Sequence, residues 1–179
     1  MSMRERVLFL DVDGVLNPDT NIHYKKSIGL STSSYHITIP ADKIIRLKRI
    51  VDVTHCRIIL SSSWRIKDSS VAMGAPSKAY VNLDNQLKKF GICLSGWTPL
   101  HKDRNRGIEV QAWLDKFYEK NRYYPCYIIL DDEVFDLIPI HRGHCIKTNR
   151  LLGLQDNHVH IAINLMNKLI EEDRKLYGE

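Results

Sequence analysis

The stretch V-L-F-L-D-V-D-G-V-L-N, from Val7 to Asn17, decides the fold of this chain. Its first four residues are apolar, and a continuous apolar run is typical of a strand buried on both faces of a parallel sheet. Asp11 and Asp13 follow directly, at the carboxyl end where open α/β sheets bind their ligands. Two neighbouring carboxylates repel each other, and a hard divalent cation is the simplest group that offsets this repulsion. The stretch therefore predicts a central strand that leads into a metal-binding crevice.

A second apolar run, far along the chain, also ends in acidic residues. Tyr127–Leu130 reads as a short strand, and Asp131 and Asp132 follow it. If both runs are parallel strands of one sheet, the carboxylates of Asp11 and Asp132 lie at the same edge. The alternative is that these acids cap unrelated helices or occupy loops.

Other segments complete an α/β pattern. Arg57–Leu60 reads as a strand that delivers Ser61 and Ser62 to the same edge, where hydroxyl and backbone N–H groups can bind a phosphate oxygen. A run of serines also suits a turn or a helix N-cap. Periodicity and short apolar runs predict helices at 41–54, 77–90, 107–118 and 157–177, the last capped by Asp156, and strands at 92–94 and 144–147. The pattern predicts a single α/β domain over residues 1–179 with a parallel sheet of about five strands.

The composition is that of an ordinary globular protein. Of the 179 residues, 44% are apolar and 26% are charged, which is enough for one domain with a substantial core. No run is long enough to span a bilayer, and Met1–Arg6 lacks the apolar core of a signal peptide. We therefore expect a cytoplasmic protein with no membrane partner. The formal net charge of +5 favours anionic partners.

The segment 18–40 is polar and irregular, and we expect it to form a small flap or loop over the active site. About two dozen residues allow a flap or a hairpin but no folded cap domain. Lys25, Lys26 and the nearby tyrosines could contact a nucleic-acid backbone and stack bases. A solvated, flexible loop is the alternative.

Four short motifs resemble those of the haloacid dehalogenase (HAD) superfamily and occur in that family's order. D-V-D-G-V-L at 11–16 resembles motif I, and I-I-L-S at 58–61 resembles motif II. Arg106-Gly107, at the start of a predicted helix, resembles a variant of motif III, and I-L-D-D-E-V-F-D at 129–136 resembles motif IV. The resemblance implies a Rossmann-like, three-layer domain with a minimal cap or none.

The chain resembles more narrowly the compact HAD subgroup that is found in, or beside, RNA-repair enzymes. Five segments carry this narrower resemblance: S-S-S-W-R, W-T-P, R-G-I-E-V-Q-A-W-L, L-D-D-E-V-F-D and T-N-R-L-L-G-L. An acid at Asp13 also separates this chain from members that resemble haloacid dehalogenases, which lack one there. Phosphoryl chemistry is therefore favoured over carbon–halogen cleavage.

The resemblance assigns roles to the acidic residues. Asp11 would be the nucleophile that forms an aspartyl-phosphate, and Asp13 would be the general acid and then the general base. Mg²⁺ would be held by Asp11, by the backbone carbonyl of Asp13 and by one acid of the second strand end. Asp132 is the expected ligand there, with Asp131 or Asp136 behind it, although the choice between Asp131 and Asp132 stays open.

The resemblance also points to the residues that would bind the substrate phosphate. Ser61 and Ser62 follow the second strand, and Arg106 stands at the start of a helix, where the helix dipole suits an anion. The family more often has lysine in this role, which leaves Lys102 as a rival. Arg65, which follows the serines, could add a further donor, and an ordinary surface ion pair is the alternative.

The sequence therefore predicts a Mg²⁺-dependent phosphomonoester hydrolase that acts on a nucleotide or on the terminal phosphate of RNA or DNA. A general phosphatase of small metabolites, such as sugar phosphates, is one alternative. A module that binds Mg²⁺ and phosphate for regulation, with little turnover, is the alternative from another class.

Overall fold

The computed structural model describes residues 4–66 and 75–177, and the elements of this part of the chain alternate between strands and helices. The strands are β1 (Arg6–Leu10), β2 (Arg57–Leu60), β3 (Leu94–Trp97), β4 (Cys126–Asp131) and β5 (Cys145–Lys147). The helices are α1 (Asp19–Ser27), α2 (Ala41–Thr54), α3 (Lys78–Lys88), α4 (Arg106–Asn121), α5 (Ile138–His141) and α6 (Asp156–Tyr177), and Ser63–Arg65 forms one turn of 3₁₀ helix. None of the described helices has both the length and the apolar character that crossing a bilayer requires.

The five strands form one parallel sheet in the order β3-β2-β1-β4-β5. The chain builds outwards from β1 to β3 and then returns to place β4 on the other side of β1. Sheets of this kind bind ligands in the crevice at such a reversal, outside the carboxyl ends of the strands. The predicted Rossmann-like α/β architecture with a five-stranded parallel sheet is confirmed.

Both faces of the sheet are covered, which explains the continuous apolar sequence of β1. Leu8 and Leu10 belong to a core built with α2, α3 and α6, whereas Val7 and Phe9 belong to a smaller core built with α4. All four side chains are completely buried. Because successive residues of a strand face opposite sides, only an unbroken apolar run can fill both cores.

Several boundaries differ from the prediction. Helix α2 and strand β2 begin and end where the sequence predicts, whereas β3 begins at Leu94, later than expected. The carboxylate of Asp84 accepts a hydrogen bond from the backbone N–H of Leu94 at 2.8 Å, and this contact fixes the start of the strand. Helix α5 was not predicted because four residues are too few to show a periodicity. The sequence also predicts a loop at 68–76, and most of this segment lies outside the described residues.

The segment 18–40 is more regular than the predicted flap. Helix α1 occupies its first part, and Ile37 and Ile39 return to the core with exposures of 1% and 3%. The helix could not be predicted because it buries no residue and therefore has no apolar stripe. The backbone N–H of Asp19 donates to the carbonyl of Arg150 at 3.1 Å, so α1 begins near the carboxyl edge of the sheet.

Candidate active site

The strand register brings three strand ends to one point. Leu10 of β1 is paired with Leu60 of β2 and with Leu130 of β4. The backbone N–H of Asp11 donates to Leu130 at 3.0 Å, and that of Ser61 donates to Leu10 at 2.8 Å. The first residue after β1 and the first after β2 therefore lie side by side at the carboxyl edge.

Three buried carboxylates meet at this edge. Asp11, Asp131 and Asp132 each place an oxygen within 4.8 Å of the others, and their exposures are 3%, 0% and 8%. The tips of two segments that are more than a hundred residues apart thus converge, as the two acidic strand ends predict. The side chain of Asp13 is not a member of this group.

Burial makes it costly to charge all three acids. Burial raises the pKa of Asp11, and the guanidinium of Arg106 only partly opposes this effect. Burial and then the charge of Asp11 raise the pKa of Asp131, and the same two causes raise the pKa of Asp132 to about 6. A cluster of this kind favours a positive partner, because each additional negative charge is otherwise opposed by the others.

Arg106 is the cation that contacts Asp11 and Asp131 of the acidic cluster. Its Nη1 lies 3.1 Å from Oδ1 of Asp11 and also pairs with Asp131. Its backbone N–H donates to the carboxylate of Asp136 at 2.7 Å, so Asp136 fixes the start of α4. Lys102 is exposed on the preceding loop. The geometry favours Arg106 over Lys102 as the cation of the site.

The donor set fits a hard divalent cation. Within residues 4–66 and 75–177, Oδ1 of Asp11 is buried without a hydrogen-bond partner, because Arg106 is near it but not aligned for a hydrogen bond. Both oxygens of Asp131 are engaged, one by Arg106 and the other by the backbone N–H of Glu133 at 2.9 Å. Asp11 and Asp132 are therefore the carboxylates with most freedom to bind a metal, and carboxylate oxygens are what Mg²⁺ prefers.

The serines after β2 have two different environments. Ser61 is completely buried, and its hydroxyl has no hydrogen-bond partner among the residues that the structure describes. The hydroxyl of Thr98, directly after β3, is in the same condition. The hydroxyl of Ser62 instead accepts a hydrogen bond from the backbone N–H of Trp64 at 3.4 Å, and its hydrogen bond to Asp11 lowers the pKa of that acid. Buried polar atoms without partners are rare in folded proteins, and a bound ligand is one explanation for them.

The donors of Arg65 are engaged inside the protein, which does not favour the contact to phosphate that was predicted for it. Only 6% of the residue is exposed, and its guanidinium donates to the carbonyls of Ser62 and Thr98 and pairs with Glu109. The other oxygen of Glu109 accepts from the backbone N–H of His101 at 2.9 Å. Arg65 therefore ties the loops after β2 and β3 to helix α4, because its donors are used inside the protein.

The carboxylate of Asp13, in the turn after β1, is held by two other side chains. Its Oδ1 accepts a hydrogen bond from Asn17 Nδ2 at 2.7 Å, and its Oδ2 accepts one from the indole Nε1 of Trp64 at 2.9 Å. The carboxylate borders a cavity of about 310 Å³. The cavity is lined by Asp13, Ser34, Tyr35, Ser63, Trp64, Ile66 and Ala79.

The segment 18–40 contributes Ser34 and Tyr35 to this cavity. Tyr24 is 61% exposed on α1, and Lys25 and Lys26 are in the last turn of the same helix. Of Tyr24 and Tyr35, it is therefore Tyr35 that lines the same cavity as Asp13.

Residues after β5 also belong to the site, although their sequence predicted no role for them. The hydroxyl of Thr148 donates to the carbonyl of Gly14 at 2.8 Å and holds the turn after β1. The guanidinium of Arg150 lies 3.5 Å from Asp132 and 3.3 Å from Asp19, and 58% of its side chain is exposed. Their position directly after a strand end was the signal that could have identified them.

Comparison with known proteins agrees with this geometry. No curated protein gives a significant sequence match to the chain. A family model described as the HAD domain in Swiss Army Knife RNA repair proteins matches residues 7–159, a range that contains β2 to β5, all of β1 except its first residue, and the complete acidic cluster. The chain belongs to this family of HAD domains.

Proposed function

We propose that this chain is a Mg²⁺-dependent phosphomonoester hydrolase that works through a phosphorylated aspartate at Asp11. Membership of a HAD domain family supports a phosphatase-type hydrolase. The observation that carries the proposal is the buried cluster of Asp11, Asp131 and Asp132 at the carboxyl ends of β1 and β4. Buried acids repel one another, and this arrangement is favourable when a divalent cation and an anionic substrate share the site.

Asp11 is the group that attacks phosphorus. It belongs to the cluster, and its Oδ1, which lacks a hydrogen-bond partner among the described residues, is available to a metal, while Arg106 lies 3.1 Å from the same oxygen. Mg²⁺ would be held by Asp11, by Asp132 and by the backbone carbonyl of Asp13, with Asp131 orienting Arg106. When bound, the cation lowers the repulsion between the carboxylate and the anionic phosphate.

Asp13 is the proton donor and acceptor. Its carboxylate is outside the metal cluster and borders an open cavity, so it can face the oxygen that leaves phosphorus. In the first step, a bond forms between Asp11 and phosphorus, the ester bond breaks, and the proton of Asp13 moves to the leaving oxygen. In the second step, Asp13 takes a proton from the water that attacks the aspartyl-phosphate, which releases phosphate and restores Asp11.

The remaining oxygens of the phosphate need donors. The hydroxyl of Ser61 is buried, lacks a partner in the described parts of the chain and lies next to Asp11, which suits a contact to phosphate. Arg106 supplies a planar, permanently charged donor on the α4 side. Such preorganised donors stabilise the charge that gathers on the phosphate oxygens in the transition state.

The substrate we propose is a nucleotide or the terminal phosphate of a nucleic acid. The net charge of +5 favours an anionic partner, and the cavity beside Asp13 contains Tyr35, an aromatic ring that suits a base. Binding of an oligonucleotide should then weaken steeply as salt is added. A sugar phosphate that is hydrolysed better, with no effect of salt, would favour a general metabolite phosphatase.

Release of inorganic phosphate tests the proposal. The wild-type protein and the Asp11→Asn variant are assayed with Mg²⁺ and with EDTA on three kinds of substrate: nucleoside monophosphates, oligonucleotides with 3′- or 5′-phosphate, and sugar phosphates. We expect turnover that needs Mg²⁺ and disappears in Asp11→Asn. Full activity in Asp11→Asn or in EDTA would refute the mechanism, and binding of phosphate without turnover would support the regulatory module.

A further inference from the structure

We propose that Trp64 positions the carboxylate of Asp13 for proton transfer to the leaving group. The inference rests on the proposed function, in which Asp13 is the proton donor. The inference assigns a role to the indole N–H of Trp64, a residue that follows β2 and is 51 positions from Asp13 along the chain.

Each oxygen of Asp13 is held by a different donor. The indole Nε1 of Trp64 donates to Oδ2 at 2.9 Å, and the amide of Asn17 donates to Oδ1 at 2.7 Å. Asn17 is itself fixed, because its side-chain oxygen accepts a hydrogen bond from Asn21 at 2.9 Å. Two donors on opposite oxygens fix the plane of the carboxylate, which one donor alone could not do.

Trp64 is a rigid donor. Only 3% of the residue is exposed, and it belongs to the larger core of the protein. Its backbone carbonyl accepts a hydrogen bond from the hydroxyl of Ser77, and its backbone N–H donates to Ser62. The indole ring therefore cannot follow a displacement of Asp13. Moreover, an indole N–H only donates, so it never competes with Asp13 for the proton that is transferred.

The two hydrogen bonds leave room for catalysis. A carboxylate has about four lone-pair positions, and the donors occupy only two of them. The remaining positions can carry the proton that Asp13 gives to the leaving oxygen when the bond from that oxygen to phosphorus breaks. Trp64 and Asp13 line the same cavity of about 310 Å³, so the leaving group enters beside both residues.

A purely structural role makes a different prediction. If Trp64 only fills the core, its loss should impair all substrates to the same degree. If it positions a proton donor, its loss should impair substrates with a poor leaving group, which need the proton, more than substrates with a good one, which do not.

The test is the dependence of kcat/KM on the leaving group. This ratio is measured for the Trp64→Phe variant with p-nitrophenyl phosphate, whose leaving group is stable as an anion, and with a nucleoside monophosphate, whose leaving group is an alkoxide. We expect a loss of about ten-fold or more with the nucleotide and of about two-fold with the aryl phosphate, since general acid catalysis contributes roughly 100- to 10,000-fold in all. Asp13→Asn should show the same pattern with a larger loss.

Trp97→Phe is the matched control. Trp97 is the last residue of β3, is 37% exposed and packs against Tyr80 with ring centroids 5.1 Å apart, so the same chemical change is made at a tryptophan with a different partner. If Trp64→Phe does not fold, site-specific replacement of Trp64 by benzothienylalanine removes the N–H and keeps the shape. Equal losses with the two substrates overturn the proposal. A wild-type protein without phosphatase activity would instead refute the proposed function itself.

Discussion

The guanidinium of Arg65 and the carboxylate of Glu109 form an ion pair in which the side chains are only 4% and 2% exposed. Arg65 comes from the turn after β2, and Glu109 comes from the first turns of α4. Helix α4 begins at Arg106, so the ion pair fixes the distance between Arg106 and the serines after β2, Ser61 and Ser62. Removal of one partner leaves an uncompensated charge in the interior.

Glu109→Gln should therefore destabilise the protein by roughly 3–5 kcal/mol, the usual cost of breaking a buried pair. The free energy of unfolding in urea, measured with EDTA present, checks this expectation. Glu5→Gln is the matched control, because Glu5 pairs with Arg57 at the surface, where the side chains are 34% and 47% exposed. That change should cost less than about 1 kcal/mol. Similar costs for the two variants would show that the Arg65–Glu109 pair is not a structural support.

Gly14 is required by the close approach of the turn after β1 to Asp132. Its φ is +75°, and a Cβ atom at this position would overlap the carboxylate of Asp132. Gly14→Ala should cost about 1–2 kcal/mol for the left-handed backbone and should also push Asp132 away from Asp11. We expect a large loss of Mg²⁺ affinity, measured by calorimetry, in addition to the loss of stability.

Gly29→Ala separates these two effects. Gly29 has a similar φ of +72°, but a Cβ atom there would have open space around it. This variant should show the backbone cost alone and bind Mg²⁺ normally. Unchanged Mg²⁺ affinity in Gly14→Ala would mean that Asp132 is not a ligand.

The sequence predicted most reliably the parts of the fold that depend on local pattern. The ends of β2 and α2 were predicted correctly because their apolar residues match the period of a strand and of a helix. The acidic cluster could be predicted because parallel strands bring their carboxyl ends to one edge. Helix α1 could not, since it buries no residue and its position depends on contacts such as that between Asp19 and Arg150.

The roles of individual side chains were harder to predict, because their partners are distant in the chain. Arg65 was expected near the phosphate, but its partner Glu109 is 44 positions away, and no local pattern indicates that contact. The hydrogen bond from Trp64 to Asp13 spans 51 positions. A strand end predicts which residues reach the edge of the sheet, but it does not predict which of them turn inwards to support the others.

The pKa of Asp132 gives a pH dependence for the metal-free protein. Burial and the charge of Asp11 raise this pKa to about 6 from the ordinary value of 3.8. Between these values the folded state holds a proton that the unfolded state has lost, so stability decreases as the pH rises from about 4 to about 6. We expect a loss of about 1–2 kcal/mol over this range, allowing for partial solvent screening, from thermal unfolding in EDTA.

Asp132→Asn should lose this contribution to the pH dependence and should be more stable than the wild type at pH 8 in EDTA. Mg²⁺ should stabilise the wild type at pH 8 and have little effect on the variant. Asp52→Asn, a change at a side chain that is 54% exposed on α2, is the control and should leave the profile unchanged. A wild-type protein that becomes steadily more stable from pH 4 to pH 6 in EDTA would contradict the prediction.

Arg106→Lys and Lys102→Met decide which cation serves the phosphate. Arg106 is 3.1 Å from Asp11, whereas Lys102 is exposed on the loop before α4. A lysine at position 106 keeps the charge but loses the planar fork of donors, so we expect kcat/KM to decrease by about 10- to 100-fold. Lys102→Met should change it by less than about two-fold, as an exposed charge contributes little. The charge of Arg106 also opposes the increase in the pKa of Asp11, so Arg106→Met should shift the acidic limb of the pH–rate profile to higher pH. A larger loss of kcat/KM in Lys102→Met than in Arg106→Lys would assign the role to Lys102.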